Sequence, residues 1–288
     1  MQKDNGNLKV LELINITRGL FEGKGVNNPR LCAELLLADT LSIPRINLYL
    51  DFEKPLNEKE LDSFREKVRR RLNHEPIQYI LGYTEFYGLK FKVDQHVLIP
   101  RPETELLVDK VTEQVTSSGI TNPKLLEIGT GSGCISIAVA KKIDCNIDAI
   151  DINEGILEIA KFNSDINKVD EKLNLIKKNF TDLANLDDYL LVFSNPPYIP
   201  INEYNSLPEE IKNFEPRHAL TDEGDGLKYY RDILNISLNS KNRKKLFLEI
   251  GDGKRKFIEN LLLNNNIKNY EFFKDLMGME RVVYYEVN

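Results

Sequence analysis

From Leu8 to about Leu81 the apolar residues recur at helical spacing, Leu8, Leu11 and Ile14 first, then Leu31, Leu35, Ala38 and Leu41. That period belongs to helices with one buried face. Pro29 marks a helix start, Pro44 follows that helix, and Asn57 with Glu60 three residues on reads as the cap of a third helix reaching Leu72. The pattern predicts a small helical domain over residues 1–82. Between Tyr83 and Leu98 the spacing becomes alternation, Phe86, Leu89, Phe91 and Val93 around Tyr87-Gly88, which predicts a β-hairpin linking two domains over residues 83–98. Beyond Pro100-Arg101-Pro102 a helix expected over Glu103–Thr116 opens an alternation of strands and helices reaching Leu248. Such alternation predicts an α/β domain over residues 99–288, built on a mostly parallel, doubly wound sheet. Tyr270–Leu276 and Arg281–Val287 are strand-like and separated only by Met277–Glu280, so a terminal antiparallel hairpin is expected. No internal repeat interrupts this order; Asn239–Lys245 and Asn264–Asn269 read as polar loops.

Composition narrows the partners. A chain of 288 residues with 41% hydrophobic and 29% charged positions can bury full cores in two domains. Its net charge of −6 argues against holding nucleic acid stably by phosphate neutralisation. The basic run Lys67, Arg69, Arg70 and Arg71, beside Glu60 and Glu66, reads as a solvated helix face. Met1–Asn7 is polar and no apolar run is long enough to span a bilayer, so neither secretion nor a membrane location is expected. Cys32, Cys134 and Cys145 form no CxxC pair and offer no zinc site, which fits packing roles in a reducing cytoplasm.

The chemistry begins at Leu125-Leu126-Glu127-Ile128, a buried-strand run followed by Gly129-Thr130-Gly131-Ser132-Gly133 and the helix starting at Cys134. Glycines there let a ligand approach backbone whose amides point outward. A second strand, Ile147–Asp151, ends in an acid placed to accept hydrogen bonds from both hydroxyls of a ribose. This pair suits either NAD or S-adenosylmethionine.

A third strand-like run, Tyr189–Phe193, ends in Ser194-Asn195-Pro196-Pro197-Tyr198. The two prolines remove two N–H donors, so carbonyls around them only accept. The loop resembles the signature of methyltransferases that act on nitrogen attached to a planar system, as in adenine, cytosine or the glutamine side chain. An NH2 group of that kind would donate to the Asn195 side-chain oxygen and the Pro196 carbonyl, while Tyr198 stacked on its plane.

The chain from Arg30 to Val287 resembles one family more fully, the protein-(glutamine-N(5)) methyltransferases that modify peptide chain release factors. The likeness is carried by Arg30–Leu37, Pro76–Gly82, Val97–Glu105, Asn195–Tyr198, Glu215-Pro216, Asp225–Leu227, Leu248–Gly251 and Arg281–Val283. It implies a Rossmann-like class I methyltransferase sheet, S-adenosylmethionine as methyl donor, a helical domain that recognises the substrate, and the glutamine of a Gly-Gly-Gln motif as acceptor. Through the same resemblance Gly129, Thr130, Gly131, Ser132, Gly133, Asp151, Phe180 and Asn195 would contact the cofactor, with Phe180 standing where the family often has Trp. Asn195, Pro196, Pro197 and Tyr198 would hold the glutamine, and Arg101 and Glu103 are further substrate-binding candidates, a structural ion pair being the other reading. Glu127 takes the place of a commoner Asp and Lys254 that of a usual Gln.

Among the histidines only His218 is expected near the site, with His74 and His96 elsewhere. Two other functions share parts of the pattern: a nucleobase methyltransferase, which must track phosphate and flip a base, and a non-catalytic S-adenosylmethionine-binding module.

Overall fold

The computed structural model describes residues 8–287. Met1–Asn7, the polar stretch discussed above, and Asn288 lie outside the described residues. The chain divides into two compact units, one running to Gly82 and including Glu209–Phe214, the other comprising 83–208 and the chain from Glu215 onward.

In the first unit α1 (Val10–Gly23), α2 (Pro29–Thr40), α3 (Glu58–Leu72) and the short α4 (Ile77–Leu81) pack around Ile14, Phe21, Leu36, Leu37 and Phe64. Asn57 caps α3: its Oδ1 accepts from the Glu60 amide at 3.0 Å, and Glu60 Oε2 accepts from the Asn57 amide at 2.9 Å. The basic run of α3 departs from the expected solvated face. Arg71 follows Leu61, Phe64 and Val68 on the buried stripe, donating from Nη2 to Glu210 Oε2 at 2.8 Å and from Nη1 to the Glu75 carbonyl at 2.8 Å. Lys67 pairs with Asp39 and Arg70 with Glu75, while Arg69 alone of the four stays on the solvent side with Glu66. Positions 67 and 71 are one helical turn apart and share a face with the core residues, which is why charge alone misplaced them.

The second unit opens with β1 (Tyr83–Phe86) and β2 (Leu89–Lys92), an antiparallel hairpin turning at Tyr87-Gly88. Expected as a linker, it sends Phe86 and Phe91 into the core beside α5 (Glu105–Ser118). A 3-10 turn, Pro102–Thr104, precedes α5, so the helix starts later than its spacing suggested. Then come β3 (Lys124–Ile128), α6 (Cys134–Lys142), β4 (Asn146–Asp151), α7 (Glu154–Ile166), β5 (Leu173–Lys177) and β6 (Leu191–Ser194). Tyr189 stays out of β6 because its amide closes a turn on Leu186 and its hydroxyl donates to Asp148. Three short helices follow, α8 (Ile201–Tyr204), α9 (Glu209–Phe214), which belongs to the first unit, and α10 (Arg217–Leu220). Next are α11 (Lys228–Leu238), β7 (Lys244–Glu249), α12 (Arg255–Asn264), β8 (Tyr270–Lys274) and β9 (Glu280–Val287).

The seven strands run in the order β5-β4-β3-β6-β7-β9-β8, parallel up to β7, with β9 antiparallel to both its neighbours. Alternate strand residues serve opposite faces: Leu125 and Phe193 pack with α5 and α6, and Leu126 and Val192 with α11 and α12. The strand order reverses between β3 and β6, the switch point beside which open α/β sheets hold ligands.

Candidate active site

At that switch point, beyond the carboxyl ends of the parallel strands, lies a cavity of about 390 Å3. Gly129, Thr130, Gly131 and Ser132 line it from the end of β3, Asp151 from β4, Phe180 from the segment after β5, and Asn195, Pro196 and Pro197 from β6. Arg101 and Thr104 line it too.

The glycine loop is held from beneath. The amides of Gly129 and Thr130 donate to the Ile150 carbonyl at 2.9 and 3.1 Å, and that of Gly131 to Asp151 Oδ2 at 3.1 Å. These three amides therefore face inward, not outward as the sequence suggested. What the loop offers is bare backbone: around Gly129 and Gly131, both with positive φ, nothing lies within 4 Å of where a Cβ would stand. Under the loop the Glu127 carboxylate accepts from Thr130 Oγ1 at 2.6 Å and from the Ser136 hydroxyl. Complete burial pushes Glu127 up to about 8, although these hydroxyls oppose the shift. Gly133 does not line the cavity; it caps α6 at φ +80, against Ala160.

Asp151 accepts from the amides of Gly131 and Ile152, the latter at 2.8 Å. Burial still lifts its carboxyl above the usual range, because those bonds offset desolvation only in part. Phe180 forms an apolar wall, its ring centroid 6.0 Å from that of Tyr229, a cavity residue sequence reasoning missed. Asn163, also missed, is fully buried and donates to the carbonyls of Ser132 at 2.8 Å and Lys92 at 3.0 Å, tying the glycine loop to the hairpin.

On the other wall the Ser194 hydroxyl donates to the Ile128 carbonyl at 2.7 Å, which fixes the end of β6 to β3. Asn195 Nδ2 donates to Thr104 Oγ1 at 3.3 Å. Tyr198 departs from expectation. It does not line the cavity; its ring lies over Gly251, where an added Cβ would stand 2.7 Å from Cδ2, and its hydroxyl reaches Glu249 Oε1 at 3.4 Å. Burial raises the Tyr198 hydroxyl well above its ordinary value. A stacking surface for substrate is therefore not what this side chain presents.

Arg101 lines the cavity while its Nη2 donates to Glu215 Oε1 at 2.6 Å, the ion-pair alternative; Glu103 does not line it. His218 reaches the cavity as expected, and so, against expectation, does His96, whose Nδ1 bonds Asp94 Oδ1 at 2.8 Å. His74 belongs to the first unit, 3.8 Å from Glu209. All three cysteines are buried and free; Cys134 lines the cavity, and burial pushes its thiol up to about 12.

The bare loop, the Asp151 carboxyl and the aromatic wall give the cavity an open backbone face, an acceptor and an apolar face. Comparisons with known proteins identify the family. Residues 12–82 match the PrmC N-terminal domain and residues 102–220 the methyltransferase small domain. A release factor glutamine methyltransferase of Chlorobaculum tepidum is 41% identical over 78% of this chain and 79% of its own length. Another, from Rhodopirellula baltica, is 38% identical over 95% of both chains. Among solved structures the catalytic domain of human METTL16 in complex with an RNA hairpin superposes with TM-score 0.56 at 16% identity, covering 88% of this chain and 90% of that one, which shows the fold. On the strength of the full-length relatives, this chain belongs to the release factor glutamine methyltransferases, S-adenosylmethionine-dependent enzymes that methylate glutamine in release factors.

Proposed function

We propose that the cavity is the methyl-transfer site and that its acceptor is the side-chain nitrogen of the glutamine in a Gly-Gly-Gln motif. The observation that carries this reading is that Asn195, Pro196 and Pro197 line the same cavity as the glycine loop and Asp151. When bound, S-adenosylmethionine supplies an electrophilic methyl group. Asp151 would accept hydrogen bonds from its ribose, Phe180 and Tyr229 would offer an apolar wall to its adenine, and Gly129 to Ser132 would hold the remainder against bare backbone.

Asn195 Nδ2 is committed to Thr104, which leaves Oδ1 to accept one N–H of the incoming amide. The Pro196 carbonyl accepts the other. With both hydrogens held, the amide nitrogen is aimed, and alignment of this kind supplies about 7 to 11 kcal/mol of a barrier. No strong base would be needed, since the nitrogen would become acidic as the N–C bond formed and the methyl–sulfur bond broke, leaving a neutral thioether, and its proton would leave to solvent. Tyr198 supports the loop from behind, and Arg101, with Glu215 and Glu103 near it in sequence or space, holds the substrate backbone at the cavity rim.

The helical unit up to Gly82 recognises the release factor. The hairpin that follows Gly82 in the chain is part of the methyltransferase unit. A cytoplasmic location and the absence of stable nucleic-acid binding are supported by three free cysteines and a net charge of −6; among the described residues no helix is long and apolar enough to cross a membrane.

Incubation with tritiated S-adenosylmethionine and a lysate from cells lacking this enzyme tests the reading. Label should enter a protein of release-factor size, at the glutamine of its Gly-Gly-Gln motif. Label in nucleic acid would overturn it.

A further inference from the structure

Pro196 and Pro197 have no amide with which to anchor the loop after β6, and its backbone is tethered farther on. Ile199 N donates to the Leu220 carbonyl at 3.0 Å and Ile201 N to the Gly224 carbonyl at 2.9 Å, while Ile199 and Thr221 pair as a short parallel bridge. The position of the acceptor loop is thereby handed to residues 220–226, which lead into α11. That stretch contains two glycines, Gly224 and Gly226, and needs an organiser of its own.

The organiser is Asp222, a residue 8% exposed. Its Oδ1 accepts from the amides of Gly224 at 2.8 Å and Gly226 at 3.0 Å, and its Oδ2 accepts from the amide of Lys228 at 2.9 Å. Lys228 opens α11, and the residue before it, Leu227, has no polar side chain to cap the helix, so Asp222 satisfies that amide from six residues away. Gly226, at φ +77, is brought against the acceptor loop: an added Cβ would stand 2.4 Å from the Tyr198 carbonyl oxygen and 3.2 Å from the Pro200 nitrogen. Only a residue without a side chain lets the two backbones meet so closely. Next along α11 comes Tyr229, which lines the cavity beside Phe180.

We propose that Asp222 is a positioning residue for methyl transfer: its carboxylate gathers the amides of Gly224, Gly226 and Lys228, seats Gly226 against the Tyr198 carbonyl and starts α11, and so fixes the distance between the acceptor loop and the aromatic wall. Asp222 itself does not line the cavity. Its effect passes through Tyr198 to Asn195 and the Pro196 carbonyl, and the proposal rests on the reading of those two groups as the amide acceptors. A shift of about 1 Å between reacting groups costs on the order of 100-fold in rate, so a loop shaped by one buried carboxylate is a sensitive point.

The test is single-turnover methyl transfer by the full-length enzyme at saturating S-adenosylmethionine and varied release factor, with cofactor affinity measured by calorimetry. Asp222→Ala should lower the limiting rate about tenfold to 100-fold. Cofactor affinity and the release-factor concentration giving half the limiting rate should stay within about threefold of native. Asp222→Asn keeps an oxygen for the Gly224 and Gly226 amides and gives up only the Lys228 bond, so it should bring the rate back to within about fivefold of native. Asn195→Ala and the double variant Asn195→Ala/Asp222→Ala complete a cycle: with the acceptor side chain already gone, removing Asp222 should cost less than about threefold more. If Asn195→Ala is slow and Asp222→Ala is as fast as the native enzyme, the positioning role is wrong and the acceptor role of Asn195 stands. If Asn195→Ala is itself fast, that role fails and the proposal with it. Losses that multiply in the double variant, or a fall in cofactor affinity as large as the fall in rate, overturn the proposal, because a general loosening of the fold would then explain them. A rate for Asp222→Asn as low as that of Asp222→Ala overturns it too. Should Asp222→Ala not fold, Gly226→Ala takes its place in the cycle, and multiplying losses there reject the proposal.

Discussion

Two loops follow neighbouring parallel strands and work by opposite subtractions. After β3, glycines remove side chains, so backbone at Gly129 and Gly131 is open. After β6, Pro196 and Pro197 remove two N–H donors, so the backbone at those positions can only accept. The loops are also held differently. The glycine loop is tied by close partners, Ile150, Asp151, and Glu127 beneath it. The Asn195 loop depends on a side chain 91 residues away, Thr104, and on Gly251, whose missing Cβ admits the Tyr198 ring. Both loops draw on other elements, the glycine loop on β4 and on Asn163 of α7, the Asn195 loop on residues farther away along the chain, Thr104 and Gly251.

The sharpest way to break this comparison is at Asn195. Asn195→Ala should cost about 100- to 1000-fold in methyl-transfer rate, the scale of deleting one pre-organised polar partner, while cofactor affinity stays close to native. Asn195→Asp keeps an acceptor oxygen and should retain more activity than Ala. Single-turnover rates near native for both variants would remove the acceptor role.

Next in size is Asp151→Ala. A charged acceptor of ribose hydroxyls contributes about 1.5 to 3 kcal/mol per bond, so S-adenosylmethionine affinity should drop at least about tenfold. Unchanged calorimetric affinity in a folded variant would take Asp151 out of the site.

Gly251→Ala probes the remote support of the second loop. Its Cβ would stand 2.7 Å from the Tyr198 ring, and relieving such a clash typically costs about 1 to 3 kcal/mol. The melting temperature and the transfer rate should both fall, with cofactor affinity little changed; a fall in affinity alone would mean that the two loops are not separately supported.

The smallest effect belongs to Glu127. Its folded pKa, up to about 8, exceeds the unfolded value, so its contribution to stability is complete at acid pH and is lost as pH rises through about 8. Glu249, pushed up to about 7, acts in the same sense. Glu127→Gln should therefore flatten, without abolishing, the decline in melting temperature between about pH 5 and about pH 9, by a few degrees. An identical slope in the variant would show that Glu127 is ionised in the folded protein.

Both loops were legible in the sequence as short patterns following apolar runs, and so was the sheet, because alternation of strand and helix survives errors of one or two residues. What lay beyond reach was long-range. Nothing local marks Thr104 as the partner of Asn195, Asn163 as the brace of the glycine loop, or Tyr229 and His96 as cavity residues. Tyr198 followed a recognised signature, yet its side chain turns toward Gly251, a glycine 53 positions on. Arg71 joined a basic run and was misplaced because its partner, Glu210, comes from a distant segment. The helices α8 to α10 span four to six residues each, too few for a period to show.

The place of β9 has a consequence for biosynthesis. It leaves β8 on the outer edge and inserts between β8 and β7. While the chain is being made, β7 can pair with β6 on one side, but its other side stays an open edge until residues as far as Val287 have left the ribosome. Glu249, opposite Val282 in that register, therefore acquires its buried surroundings in one of the last pairings formed. A nascent chain halted short of β9 would present an unpaired hydrophobic strand edge, Leu246 to Leu248, to any chaperone or neighbouring chain nearby.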